Sequence, residues 1–158
     1  MNSRIYPNAK YSFDTSAFIE PWRRHYPPDI FESLWDFITN HIESEIIIAT
    51  IMVRTELERQ HDNLLRYVKK FSNLFKTPME REQDVVKLIL NDRNYEHWKI
   101  GDRHKADPFI VAIAKVHKLC VVTYEDQTKN GKIPSVCRDY DVDCCGFLDF
   151  LKREGLKI

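Results

Sequence analysis

The sequence predicts an α/β protein, a three-layer α/β/α sandwich around a central, mostly parallel sheet. Three observations predict it. Short apolar runs alternate with amphipathic helical stripes, the pattern of βαβ units. One run, Leu119 to Thr123, is apolar without alternation, as in a strand covered on both faces. Acidic residues stand just past the ends of such runs, where open α/β sheets bind ligands.

The elements follow in order. A first short strand covers about Tyr11 to Asp14. The Pro-rich stretch Glu20 to Pro28 cannot be regular helix throughout. Phe31, Leu34, Trp35, Ile38 and Ile42 then form one stripe of a helix. Ile46 to Thr50 reads as a buried strand. A long helix is expected from about Met52 to Phe75, with the stripe Val53, Leu57, Leu64, Val68, Phe71 and Phe75. Pro78 ends that pattern, and a further helix covers about Glu80 to Asn91. Asp92 to Lys105 is polar and reads as irregular, with a turn at Gly101. The helix Asp107 to Lys118 is apolar on nearly every side and therefore buried. After the strand Leu119–Thr123 come a polar loop over 126–132, a helical turn near Pro134 to Tyr140, a small strand near Val142 to Cys145 and a last helix from Phe147 to Glu154.

The 158 residues fit one domain spanning 1–158. A hydrophobic share of 43% supports a core. The 24 basic and 24 acidic residues cancel, so a basic coat for nucleic acid is excluded, and any such contact must come from a local patch. No run of apolar residues is long enough to span a membrane. Met1 to Pro7 has no signal-peptide core, and the protein is expected to be cytoplasmic. Cys120, Cys137, Cys144 and Cys145 then stay reduced. They contain no C-x-x-C spacing, which argues against structural zinc.

Four carboxylates stand out: Asp14 after the first strand, Glu56 on a helix, Asp107 opening the buried helix, and Glu125 after the strand Leu119–Thr123. Like charges brought together raise one another's pKa. A hard divalent cation, Mg²⁺ or Mn²⁺, removes that repulsion and prefers oxygen ligands. Each residue also has a plain reading. Asp14 and Asp107 suit helix starts. Glu56 could be solvated and pair with Arg59 or Gln60, although it flanks the Val53–Leu57 stripe while Glu58 points away. Asp126 competes with Glu125, and Glu125 shares a face with Thr123 if the strand stays extended.

Together these segments resemble the PIN-domain nucleases. Ser12-Phe13-Asp14-Thr15-Ser16 is similar to their opening D-T-S motif, and Val53-Arg54-Thr55-Glu56-Leu57 to their helical glutamate motif. Ala106-Asp107-Pro108-Phe109 resembles the central aspartate that opens a buried helix, and Val121 to Asp126 the strand followed by T-x-D, here with Glu125 as the fourth acid. Pro27 to Trp35 and Lys132 to Cys137 make the chain most similar to an uncharacterised prokaryotic PIN-like branch. The resemblance implies a PIN-like fold and a metal-dependent endoribonuclease, often the toxin of a toxin–antitoxin pair. It also implies an RNA substrate, an antitoxin partner and a homodimer. On it, Asp14, Asp107 and Glu125 bind one or two Mg²⁺ or Mn²⁺, with Glu56 as a further ligand or water-holder.

Other readings stay open at this point. The domain could keep the fold and bind RNA or an antitoxin without cutting, or it could be a metal-dependent phosphatase. Trp22, Arg23, Arg24, His25 and Tyr26 could contact RNA, or the two aromatics could pack on the adjacent helix. His104 could contact phosphate or lie in a solvated loop.

Overall fold

A computed structural model describes residues 4–60 and 62–157. Met1 to Ser3, part of the stretch read as lacking a leader core, lie outside the described residues. So do position 61, inside the expected long helix, and position 158.

The sheet has five parallel strands in the order β3-β2-β1-β4-β5: β1 (Tyr11–Phe13), β2 (Ile47–Thr50), β3 (Phe75–Lys76), β4 (Cys120–Val122) and β5 (Cys144–Cys145). Among the described residues eight α-helices flank it: α1 (Thr15–Glu20), α2 (Glu32–Glu43), α3 (Ile51–Glu58), α4 (Asn63–Lys69), α5 (Glu80–Leu90), α6 (Asp107–His117), α7 (Ile133–Asp139) and α8 (Phe147–Arg153). This is the expected three-layer α/β/α arrangement. β1, β2 and β4 are buried along their whole length, as parallel strands covered on both faces must be. The aromatic centre of the core is Phe13, 1% exposed, whose ring meets Phe150 edge-on at 5.2 Å and Phe18 at 5.1 Å.

The chain leaves β1 for β2 on one side and later returns to place β4 on the other. The strand order therefore reverses between β1 and β4, the position at which open α/β sheets leave a crevice at the carboxyl ends of their strands. Asp14 follows β1 directly, and its backbone N–H continues the ladder to Val122 O at 3.0 Å. Ser12 Oγ donates to Ile110 O at 3.1 Å, fixing α6 against β1. Because α6 precedes β4 and runs opposite to it, the α6 N-terminus lies at the same end as Asp14.

Three departures from the sequence reading stand out. The expected helix Met52–Phe75 is two helices and a strand. Asp62 accepts from Leu65 N at 3.2 Å and so caps a new helix, α4, while Phe75 pairs with Ala49 in β3. The Pro-rich stretch, as expected, is not regular helix throughout: α1 passes into a π-helical turn, Pro21–His25, closed by Tyr26 N–H to Pro21 O at 2.7 Å, and the helix ends there. The segment read as irregular holds two short 3₁₀ turns within Arg93–Lys99, separated by a kink at Tyr95 and anchored by buried Tyr95 and Trp98. The last strand is confined to Cys144–Cys145. All four cysteines are free thiols. Among the described residues no helix is long and apolar enough to cross a membrane.

Candidate active site

Asp14 is 5% exposed and sits at the helix start without capping it. Its Oδ2 instead accepts from Ser16 Oγ and from Thr123 Oγ1, both at 2.7 Å. Each hydroxyl in turn accepts a backbone N–H: Tyr124 N–H donates to Ser16 Oγ and Glu125 N–H to Thr123 Oγ1, both at 3.0 Å. One carboxylate oxygen therefore holds the ends of β1 and β4 in register through two hydroxyls. Burial pushes the Asp14 carboxyl up, against the pull of these hydrogen bonds.

Glu56 stands on α3, which begins directly after β2 with Thr50 as its N-cap. It does not pair on the helix surface. Its Oε1 is buried and completes no hydrogen bond, and the neighbouring Thr15 Oγ1 is equally unpartnered. The two are near enough for the hydroxyl to favour the charged carboxylate, but burial outweighs this and Asp14 adds repulsion, so the Glu56 pKa is raised. Glu58, by contrast, is exposed and pairs with Arg54 at 3.4 Å.

Asp107 is the first residue of α6 and makes no capping bond. Its Oδ2 lies 2.7 Å from His104 Nδ1. Its pKa is pushed up to about 9, first by burial, then by the charges of Asp14, Glu125 and Glu56. Glu125 is also raised, by burial and by Asp14, with Lys132 Nζ at 3.9 Å opposing. Asp126 is ordinary loop charge: its Oδ1 caps its own turn at Thr128 N and Oγ1, and its pKa is lowered.

All four predicted carboxylates thus converge at the carboxyl edge of the sheet, within reach of one another's fields. Among the described residues no three His, Cys, Asp or Glu side chains stand close enough to form a ready-made metal cage. Gathering them on one ion takes side-chain rotation. The donor set still fits a hard divalent cation: every donor is a carboxylate oxygen, one of them is buried and unpartnered, and their mutual repulsion is what a cation relieves.

The family model described as Domain of unknown function (DUF4411) matches residues 11–158. The chain belongs to the DUF4411 family. No curated protein matches it. The DUF4411 match runs from β1 past α8 and so takes in all four carboxylates.

The roles of two residues beside the carboxylates of this DUF4411 protein do not show in the sequence. Thr123 was noted only as sharing a face with Glu125, yet it is 0% exposed and bonds Asp14. A buried hydroxyl ending an apolar strand was the available signal. His104 is not in a solvated loop. Its ring stacks on Trp98 at 6.0 Å and its Nδ1 meets Asp107. Burial first, then His97, Arg103 and Lys132, lower its pKa and favour the neutral ring. The 3₁₀ segment also clamps the loop over 126–132: His97 Nε2 and Trp98 Nε1 both reach Gly131 O, at 2.8 and 3.1 Å. Gly131 has φ +77°, and a Cβ there would meet the His97 ring at 3.1 Å, so both the backbone and the close ring favour glycine.

A larger cavity, about 560 Å³, opens at the opposite edge of the sheet, beside Tyr11, Cys120 and Asp143. It holds none of the four carboxylates.

Proposed function

We propose that this protein is a metal-dependent endoribonuclease that hydrolyses RNA phosphodiester bonds at the carboxyl edge of the sheet. The observation that carries the proposal is the convergence of Asp14, Glu56, Asp107 and Glu125 at the strand-order reversal, with Asp107 pushed up to about 9 largely by burial and by the other three. Asp14, Asp107 and Glu125, with Glu56, would hold one or two Mg²⁺ or Mn²⁺, which supply an activated water and a polarised phosphate when bound. The chain's own residues prepare the site. Ser16 and Thr123 fix the Asp14 carboxylate, and His104 fixes that of Asp107. Lys132 brings a positive charge to the rim beside Glu125, and the α6 N-terminus favours anions there. No side-chain nucleophile is required. A toxin role, an antitoxin partner and a dimer rest on the PIN-like resemblance alone, and a cytoplasmic location on the sequence reading of the N-terminal stretch.

The test is incubation of purified protein with single-stranded RNA in millimolar Mn²⁺. Cleavage that EDTA stops is expected. Intact RNA together with turnover of p-nitrophenyl phosphate would replace this reading with a phosphatase.

His104 gives a second prediction. A hydrogen-bond partner that orients a ligating carboxylate is typically worth about 10–100-fold in metal affinity. His104→Ala is expected to weaken Mn²⁺ binding by that order in calorimetry, and His104→Gln to retain part of it. Unaltered affinity in both variants would show that His104 does not orient Asp107.

A further inference from the structure

Beside the acidic cluster lies a second concavity, of about 330 Å³, that shares Thr123 and Glu125 with it. Its walls are aromatic. His25 stacks on Tyr124 with ring centroids 5.3 Å apart and planes 6° from parallel. Tyr124 continues the stack onto Phe147 at 5.9 Å, and Tyr26 closes the wall against Phe147, also at 5.9 Å. Three rings thus lie in near-parallel succession, ending in His25, which is exposed to solvent. The exposed amide of Gln127 lines the same space and can both donate and accept.

The backbone delivers His25 to this position by an unusual device. The helix that begins immediately after Asp14 passes into the π turn Pro21–His25. Such turns are rare and concentrate at functional sites. Trp22, Arg23 and Arg24 are committed elsewhere. Trp22 packs on Trp35 at 4.9 Å and on Tyr67 at 5.0 Å, Arg23 pairs with Asp62, and Arg24 with Glu20 at 3.6 Å. His25 alone is turned onto Tyr124, the residue between Thr123 and Glu125.

We infer that this concavity seats one unpaired nucleobase of the substrate strand, next to the phosphate held at the carboxylates, with His25, backed by Tyr124, as its stacking platform. The inference rests on the nuclease reading and names its substrate class, single-stranded RNA. Aromatic rings bind bases of any sequence through their π-faces, and a stacked base cannot at the same time be paired in a duplex. With zero net charge, the protein has no broad basic coat to hold RNA by phosphate alone. Stacking beside the site supplies affinity that charge does not.

The test separates the pocket from the chemistry by measuring binding without cleavage. Fluorescence anisotropy compares a labelled single-stranded oligoribonucleotide with the same strand carrying abasic residues. Loss of one base-stacking platform corresponds to about a tenfold loss of affinity. His25→Ala is expected to weaken binding of the base-bearing strand about tenfold and to leave the weaker binding of the abasic strand unchanged. His25→Phe, which keeps a ring, is expected to restore binding of the intact strand. Equal effects on both strands, no effect on either, or no binding of the intact strand by the wild-type protein would each overturn the pocket. Base-dependent binding by a protein that cuts no RNA in Mn²⁺ would overturn the nuclease reading and leave the pocket standing.

Discussion

Asp14→Asn is expected to lower Mn²⁺-dependent RNA cleavage by at least about a hundredfold while the fold persists, because it removes one proposed ion ligand and nothing else. The hydrogen bonds explain why the fold survives. Ser16 Oγ and Thr123 Oγ1 each accept a backbone N–H, so each has its own proton to give to Asp14 Oδ2. An amide oxygen in the same place accepts both protons equally well. What the substitution removes is a buried negative charge whose pKa burial already pushes up. The melting temperature is therefore expected to hold or rise. Circular dichroism melts and a gel assay on the same preparation check both halves. Wild-type cleavage by a folded Asp14→Asn protein would take Asp14 out of the mechanism.

The parts of the fold that the sequence disclosed are those set by burial. β1, β2 and β4 read as strands because parallel strands covered on both faces need unbroken apolar runs. α6 read as buried because it is apolar all round. The carboxylates were legible for a related reason: a charge beside a buried apolar segment is costly, and Asp14 and Glu125 follow strands, Asp107 opens a buried helix and Glu56 flanks the Val53–Leu57 stripe.

What escaped the reading depends on tertiary contact. The interval from Leu57 to Leu64 is seven residues, two helical turns, so the apolar stripe passes across the break between α3 and α4 without losing phase. The break is marked only by Asp62, the N-cap. Phe75 continues the same phase, and its strand exists only because Ala49 is there to pair with it. Tyr95 and Trp98 are three residues apart in a stretch otherwise polar, too short for a period, and they are buried by docking on α7 and the 126–132 loop, as in the bond of Tyr95 Oη with Ser135 Oγ at 3.0 Å. The environment of His104 follows from that docking. A π turn has no sequence signature here beyond Pro21 itself, which argued against helix.

The second large effect concerns stability and pH. Asp107 has an ordinary carboxyl value of 3.8 and is pushed up to about 9 in the folded protein. Between those values the unfolded chain has released this proton and the folded chain has kept it. The folded state then binds more protons, so stability falls as pH rises through that window and is unaffected by this group below it. Asp107→Asn removes the penalty, and its amide can still bond His104. Each pH unit of displacement corresponds to about 1.4 kcal/mol. For a chain of this size that shifts Tm by roughly 3–5 °C. Without added metal, the Asp107→Asn protein is therefore expected to melt at least that much higher than wild type at about pH 8 and at the same temperature at about pH 4. Millimolar Mn²⁺ should raise the wild-type Tm at the higher pH, because bound cation replaces the proton, and should raise that of Asp107→Asn far less. Both effects have one origin, negative charge gathered where the nearby Lys132 does not outweigh it. Differential scanning calorimetry at the two pH values measures both. A variant that melts lower than wild type at both, or that gains as much from Mn²⁺, would mean that Asp107 stabilises the fold as an ordinary helix-start carboxylate and does not belong to an ion-binding cluster.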